Sequence, residues 1–355
     1  MTEVQTVTGP VPADDLGVVM LHEHVLISNQ VALYELHGDP SVHELWDADI
    51  SIEILGALRK GAPNRANLML DDEERVAEAL VDYRDWGGTT VVENSTWGLG
   101  GDVRGLRRVS LRSGVNIVAT TGFYKQVVHP PWLAAMTVDD IAEFMIRELE
   151  EGIEDTGIRA GAIGECACTE PVPHHPEEEK VLRAACRAQI RTGVGFTFHP
   201  SIHDPNTGRQ AKVGEAYIDL IEEEGADLDR FYLSHCDMTL HDLDYHRRLL
   251  ARGITLSYDL FGAEGISESA FMSGFAMPTD IERVDAIATL CREGYDRQLV
   301  MSQDVGIKIR WKSYGGDGYS FVLQHAVPML RERGVTESQI RTMTVDNPRR
   351  ILAGV

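Results

Sequence analysis

Val18-Val19-Met20-Leu21-His22-Glu23-His24 runs from an apolar stretch straight into two histidines separated by one residue. In an extended strand alternate side chains share a face, so His22 and His24 project together while Glu23 points away. Two imidazoles at that spacing can hold one metal ion from one side. A helical pair would sit at i, i+4, so the i, i+2 spacing itself speaks for a strand. Taken alone, the motif has a second reading, in which one histidine caps the strand end and the other is solvated.

Outward from this strand, short apolar or β-branched runs alternate with longer stretches of helical period. The expected strands are Val18–Leu21, Thr89–Glu93, Asn116–Thr120, Gly161–Glu165, Val194–His199, Phe231–His235, Ile254–Asp259 and Leu299–Asp304. The expected helices are Asp72–Trp86, Val103–Ser113, Asp139–Glu151, Pro176–Thr192, Lys212–Glu224, Leu243–Arg252, Ile281–Glu293 and Tyr319–Arg333. Gly87, Gly114, Gly193, Gly225, Gly253, Gly294 and Gly334 stand where left-handed C-caps belong. This alternation predicts an α/β chain folded as a (β/α)8 TIM barrel, one domain over residues 1–355. A doubly wound sheet would normally carry a glycine-rich phosphate loop after its first strand, and none is present.

Asn29–Asp71 interrupts the rhythm with Tyr34, Trp46, His37, His43 and the run Lys60-Gly61-Ala62-Pro63-Asn64-Arg65-Ala66-Asn67. It reads as a long first βα loop with a helix over Val42–Arg59. Such a loop either builds the site or packs on the barrel rim.

Composition narrows the partners. A net charge of −23 over 355 residues argues against nucleic acid and anionic lipid, which would be repelled. No apolar run approaches the ~20 residues that span a bilayer, and the start, Met1–Asp15, lacks the basic and apolar regions of a secretory signal. The five cysteines (Cys166, Cys168, Cys186, Cys236, Cys291) are odd in number and form no CxxC pair. A cytoplasmic protein with reduced thiols and a small-molecule substrate is expected.

The strand ends gather the chemistry. Strand one ends in His22 and His24, strand four in Glu165, strand five in His199, strand six in His235 and strand eight in Asp304. A barrel places its catalytic groups at these carboxyl ends, so all six side chains would meet in one mouth. Imidazole nitrogens and carboxylate oxygens suit borderline divalent metals, and one carboxylate can bridge two ions.

His22-Glu23-His24 after Gly9-Pro10-Val11-Pro12-Ala13-Asp14-Asp15, the strand-four carboxylate, the single histidines of strands five and six, and Asp304 together resemble the phosphotriesterase-related family of the amidohydrolase superfamily. Tyr314-Gly315-Gly316-Asp317-Gly318-Tyr319, Asp346-Asn347-Pro348 and Ile351-Leu352 extend the likeness from about Gly9 to Leu352. The resemblance implies that His22, His24 and Asp304 hold one ion, that His199 and His235 hold a second, and that a strand-four residue bridges them. The best-known members use a carboxylated lysine there. Gly161-Ala162-Ile163-Gly164-Glu165 has no lysine and is similar to a branch that uses glutamate. Tyr258-Asp259-Leu260-Phe261-Gly262 at strand seven also resembles that branch, which includes N-acyl amino-sulfonate amidases and carboxylic ester hydrolases.

The expected activity is hydrolysis of a carboxyl bond (amide, ester or lactone) by a hydroxide shared between two divalent ions per chain, zinc first, manganese or cobalt also suited. Asp304 is the expected proton acceptor. The alternatives are an organophosphate triester hydrolase using the same site, and a binding protein without turnover. Tyr258, Lys308 and Arg310 are expected substrate contacts; Lys308, Arg310, Trp311, Lys312 and Tyr314 form a basic and aromatic cluster in an acidic chain. A second reading pairs these side chains with acidic residues of the rim. His203 is either a contact near the site or a solvated loop residue. Phe261–Met277, with Phe271, Met272 and Phe275, is either an apolar lid or a dimer contact, and family members are usually homodimers.

Overall fold

The computed structural model describes residues 2–29, 43–169, 175–200, 212–267 and 275–355, with backbone alone at 265–267 and 275–276. Tyr34, His37, His203, Phe271 and Met272 lie outside the described residues.

Eight parallel strands form the barrel: β1 (Val18–Glu23), β2 (Gly88–Glu93), β3 (Asn116–Thr121), β4 (Ala162–Ala167), β5 (Phe196–His199), β6 (Phe231–Leu233), β7 (Thr255–Tyr258) and β8 (Leu299–Met301). They pair in sequence order from β1 to β8. The two ends meet where the Asp304 N–H donates to the His22 carbonyl (3.2 Å) and the His22 N–H to Ser302 Oγ (3.0 Å). This is a (β/α)8 TIM barrel.

The helices follow the expected order: α1 (Glu73–Asp85), α2 (Val103–Ser113), α3 (Val138–Glu150), α4 (Pro176–Thr192), α5 (Gly214–Glu224), α6 (Leu243–Ala251), α7 (Asp280–Arg292) and α8 (Val327–Glu332). All seven expected glycine caps have positive φ, from 71° at Gly193 to 96° at Gly87. Asp72, Asp102 and Asp242 cap α1, α2 and α6, and reciprocal capping boxes open α3 (Thr137, Asp140) and α7 (Thr279, Glu282).

Alternation along each strand divides the side chains between two cores. Val19, Leu21, Val92, Val118, Ala162, Tyr232 and Val300 pack inside the barrel, where Ile351, Leu352 and Ala353 of the closing helix Asn347–Ala353 plug its floor. Met20, Val91, Ile117, Ile163, Phe196, Phe198, Leu256 and Tyr258 face the helices.

Several expected elements differ in extent. Among the described residues the first-loop helix covers Ile52–Arg59, and Val42 lies outside them. The expected helix Tyr319–Arg333 is broken into a short 3-10 turn, a wide turn over Val322–Ala326 and α8. An antiparallel hairpin, Glu3–Thr6 with Gly9–Pro12, precedes the barrel and has no counterpart among the expected elements. Gly265–Ser267 pairs with Phe275–Met277 as a second hairpin within the expected apolar run. Among the described residues no helix is long and apolar enough to cross a membrane.

Candidate metal centre

Regular alternation delivers one of the six expected residues unaided. On β5, Phe196 and Phe198 face the helices, so Thr197 and His199 face inward. The others depend on departures from a regular strand. Leu21 lies in the inner core, and a strictly alternating β1 would turn His22 outward beside Met20. The register of β1 against β2 slips between Met20 and Glu23, and His22 faces the interior as well. The β4–β5 register likewise slips between Ile163 and Cys166, which re-aims Glu165. Gly164 sits in that slip at φ 129°, where a Cβ would stand 2.8 Å from the Thr197 carbonyl oxygen. His235 (φ 55°) and Asp304 (φ 51°) occupy the left-handed region, a cost of about 1–3 kcal/mol each that the surrounding contacts offset.

These irregularities bring all six side chains together. His24 Nε2 lies 3.2 Å from Asp304 Oδ1 and 3.6 Å from Glu165 Oε1. His22 Nε2 lies 3.4 Å from Glu165 Oε2 and 3.8 Å from Asp304 Oδ1. His199 Nδ1 is 2.8 Å from Glu165 Oε2 and 2.9 Å from His235 Nε2. Glu165 Oε2 thus faces His22, His199 and His235, while Oε1 faces His24.

Each histidine is oriented through its other nitrogen. His22 Nδ1 meets Ser234 Oγ at 3.0 Å, His24 Nδ1 meets Ser95 Oγ at 2.9 Å, and His235 Nδ1 meets Asp259 Oδ1 at 2.8 Å. Tyr124 Oη approaches His199 Nε2 at 3.4 Å. Such outer contacts fix the tautomer and the ring plane that a ligand needs.

Three further buried carboxylates hold the turns that carry the cluster. Glu23 accepts the Gln303 N–H (2.7 Å), Gln303 Nε2 (2.9 Å) and the Val305 N–H (3.2 Å). Glu93 accepts the N–H of Val25, and that of Ser95 at 3.1 Å. Asp259 accepts the His235 N–H at 3.0 Å. Burial pushes the Glu23 carboxyl up to about 8 and also raises Glu93.

The electrostatics favour a cation. Burial works against charge on His24 and His235. Asp304 and Glu165 outweigh it for His24, and Asp259 with Glu165 outweighs it for His235, so both imidazoles are held well above their ordinary range. Burial likewise opposes ionisation of Glu165 and Asp304, yet the histidines hold both far below the usual carboxylate range. The donor set fits a metal. Ligand bonds of about 2.0–2.1 Å in a tetrahedral site place neighbouring donors roughly 3.3 Å apart, close to several of the separations here. His22 Nε2 is fully buried among these groups with no hydrogen-bond partner among the described residues, an arrangement that a bound ion would complete.

The expected substrate contacts are placed differently. Tyr258 is wholly buried on the helix side of β7, its hydroxyl 2.7 Å from His246 Nδ1, because alternation turns its neighbour Asp259 inward. It does not face the mouth. Lys308 pairs with Asp71 at 2.8 Å. Arg310 donates through Nη2 to the carbonyls of Phe261 (2.6 Å) and Gln303 (3.0 Å), which ties the loops after β7 and β8 together. The reading from sequence missed Asp259, Ser95, Ser234, Tyr124 and the buried Lys125, whose charge is felt at His199. Asp259 alone carried a usable signal, a carboxylate at the end of strand seven.

A (β/α)8 barrel whose mouth gathers four histidines and two carboxylates defines a metal-dependent hydrolase. The chain belongs to the phosphotriesterase family, whose model matches residues 2–352. The family depends on a pair of metal ions. An N-acetyltaurine hydrolase of Salmo salar is 35% identical over 353 residues, covering 99% of this chain and 97% of that relative. A resiniferatoxin-binding protein from Rhodobacter sphaeroides, 34% identical, superposes with a TM-score of 0.91 over 99% of this chain and 95% of that one. A lactonase from Listeria monocytogenes, 26% identical, gives 0.76 over 99% of both chains.

Proposed function

We propose that this chain hydrolyses a carboxyl bond at a two-metal centre formed by His22, His24, Glu165, His199, His235 and Asp304, with N-acyl amino sulfonates and N-acyl amino acids as the substrate class. The observation that carries the reading is the cluster itself, built round His22 Nε2, which has no hydrogen-bond partner among the described residues. The similarity to N-acetyltaurine hydrolases supports the amide as the bond. Zinc suits the ligand set, and manganese and cobalt do too.

Two divalent ions held there would supply a Lewis acid for the scissile carbonyl and lower the pKa of bound water to roughly 7. His22 and His24, with Asp304, would hold one ion, His199 and His235 would hold the other, and Glu165 would serve both. Asp304 has the most exposed side chain of the six, at 19% against at most 7% for the rest. It therefore faces incoming substrate. Its ionised carboxylate takes up the proton released as water attacks and delivers it to the leaving nitrogen. Lys125 beside His199 and Arg310 near Asp304 supply positive field for an anionic substituent. The Nε of Arg310 has no partner among the described residues.

Glutamate in place of lysine on β4 weighs against a phosphotriester as the principal substrate. The test is a panel of N-acetyltaurine, N-acetyl amino acids, p-nitrophenyl esters, lactones and paraoxon with zinc-loaded protein. The expected result is turnover highest for the anionic amides. Paraoxon as the best substrate, or neutral esters preferred to every anionic amide, would contradict the proposal.

A further inference from the structure

Arg283 lies on α7, outside the barrel, yet is fully buried. Its three donor groups each meet a different acceptor. Nε donates to Asp237 Oδ1 at 2.8 Å, Nη1 to Asp280 Oδ1 at 2.8 Å, and Nη2 to the Ala263 carbonyl at 2.9 Å. The second oxygen of Asp237 accepts the Asp259 N–H at 2.9 Å, and Asp280 Oδ1 also accepts the Gly262 N–H at 3.0 Å. One guanidinium therefore holds the loop after β7 at three points, the Asp259 and Gly262 amides and the Ala263 carbonyl.

That loop begins with the carboxylate that orients His235. Asp259 grips both the main-chain N–H and Nδ1 of His235, at 3.0 and 2.8 Å. Asp237 approaches from the other direction, since it sits in the short 3-10 turn Cys236–Thr239 that leaves His235 at φ 55°. Both routes from Arg283 converge on one imidazole. Burying an ion group of this kind is no gain over an apolar side chain of the same volume. What a planar guanidinium adds is direction, three donors fixed relative to one another, and a lysine does not reproduce that fork.

We propose that Arg283 is a positioning residue for His235, so that the second metal of the pair and the loop after β7 are set by one buried side chain on α7. The inference rests on the two-metal reading above. The experiment compares wild type with Arg283→Lys and Asp237→Asn, each stripped with chelator and titrated calorimetrically with Zn²⁺, alongside thermal melts of the stripped proteins. Wild type is expected to take up two ions per chain. Both variants are expected to keep one site and to bind the second ion at least 10-fold more weakly, the loss typical of an outer partner. Activity should return in excess Zn²⁺. If Arg283→Lys does not fold, Asp237→Asn gives the same readout.

Variants that melt earlier but bind both ions as wild type does would overturn the inference and leave Arg283 a merely structural residue. Wild type that takes up fewer than two ions would instead overturn the two-metal reading, and this inference with it.

Discussion

Glu23 clasps the amides on either side of Asp304, accepting from Gln303 at 2.7 Å and from Val305 at 3.2 Å. The residue between the two histidines of β1 therefore positions the carboxylate that ends β8, and the same contacts join the barrel's first strand to its last. Glu23→Gln would set an amide NH₂ or a single acceptor against three donors. We expect kcat to fall 10- to 100-fold with the metal content retained, measured by steady-state kinetics and elemental analysis. An unchanged kcat would remove Glu23 from the positioning of Asp304.

Asp304→Asn keeps the shape of the side chain and one ligand oxygen but removes the base. Turnover should fall by a factor of about 10² to 10⁴, with at least one ion still bound. Near wild-type activity in this variant would end the role given to Asp304.

Glu165→Ala removes the carboxylate that faces both sets of imidazoles. Metal content measured after dialysis should drop below two ions per chain. Full occupancy would show that Glu165 does not bridge.

Gly164→Ala places a Cβ 2.5 Å from Thr197 Cγ2 and 2.8 Å from the Thr197 carbonyl oxygen, at a φ of 129° that side chains rarely adopt. We expect a loss of about 1–3 kcal/mol in denaturant stability together with weaker metal binding. Stability equal to wild type would mean that β4 tolerates a regular path here.

Acid stability should depend on His246. Burial pushes this imidazole down to about 4, and it meets Tyr258 Oη at 2.7 Å and Thr239 Oγ1 at 2.8 Å. The unfolded chain takes up the proton near pH 6.5 and the folded chain only near pH 4, so the stability present above pH 6.5 is lost as the pH falls through that window. The loss amounts to about 3 kcal/mol in all. His246→Asn should flatten the dependence of unfolding free energy on pH between 6.5 and 4 by about 1.4 kcal/mol per pH unit. Parallel profiles for the two proteins would exclude His246 as the group responsible.

Much of the barrel was legible because glycine caps and β-branched runs are local signals. Val103–Ser113 and Pro176–Thr192 end where helical period and a left-handed glycine say they should, and Pro176 marks the start of α4. The N-terminal hairpin was not legible, since Gly9–Pro12 sets a single β-former, Val11, among a glycine and two prolines and is held by pairing with Glu3–Thr6. Within the site, position in the chain located the six residues at strand ends, but strand alternation accounts only for His199. His22 and Glu165 reach the mouth through register slips, and His235 through a left-handed backbone, none of which has a local sequence signature apart from Gly164. At strand seven the expectation of a substrate contact rested on place at the strand end and not on alternation. Tyr258 attracted attention as a hydrogen-bonding side chain near the mouth, whereas the inward position belongs to Asp259.

The central claim is that two ions and these six residues together hydrolyse a carboxyl bond. Its most direct test is the initial rate of N-acetyltaurine hydrolysis, followed by release of the free amine, as chelator-stripped protein is titrated with Zn²⁺. The account predicts no rate without metal and a rise that saturates at two equivalents per chain. Saturation at one equivalent, or a rate independent of added metal, would contradict it.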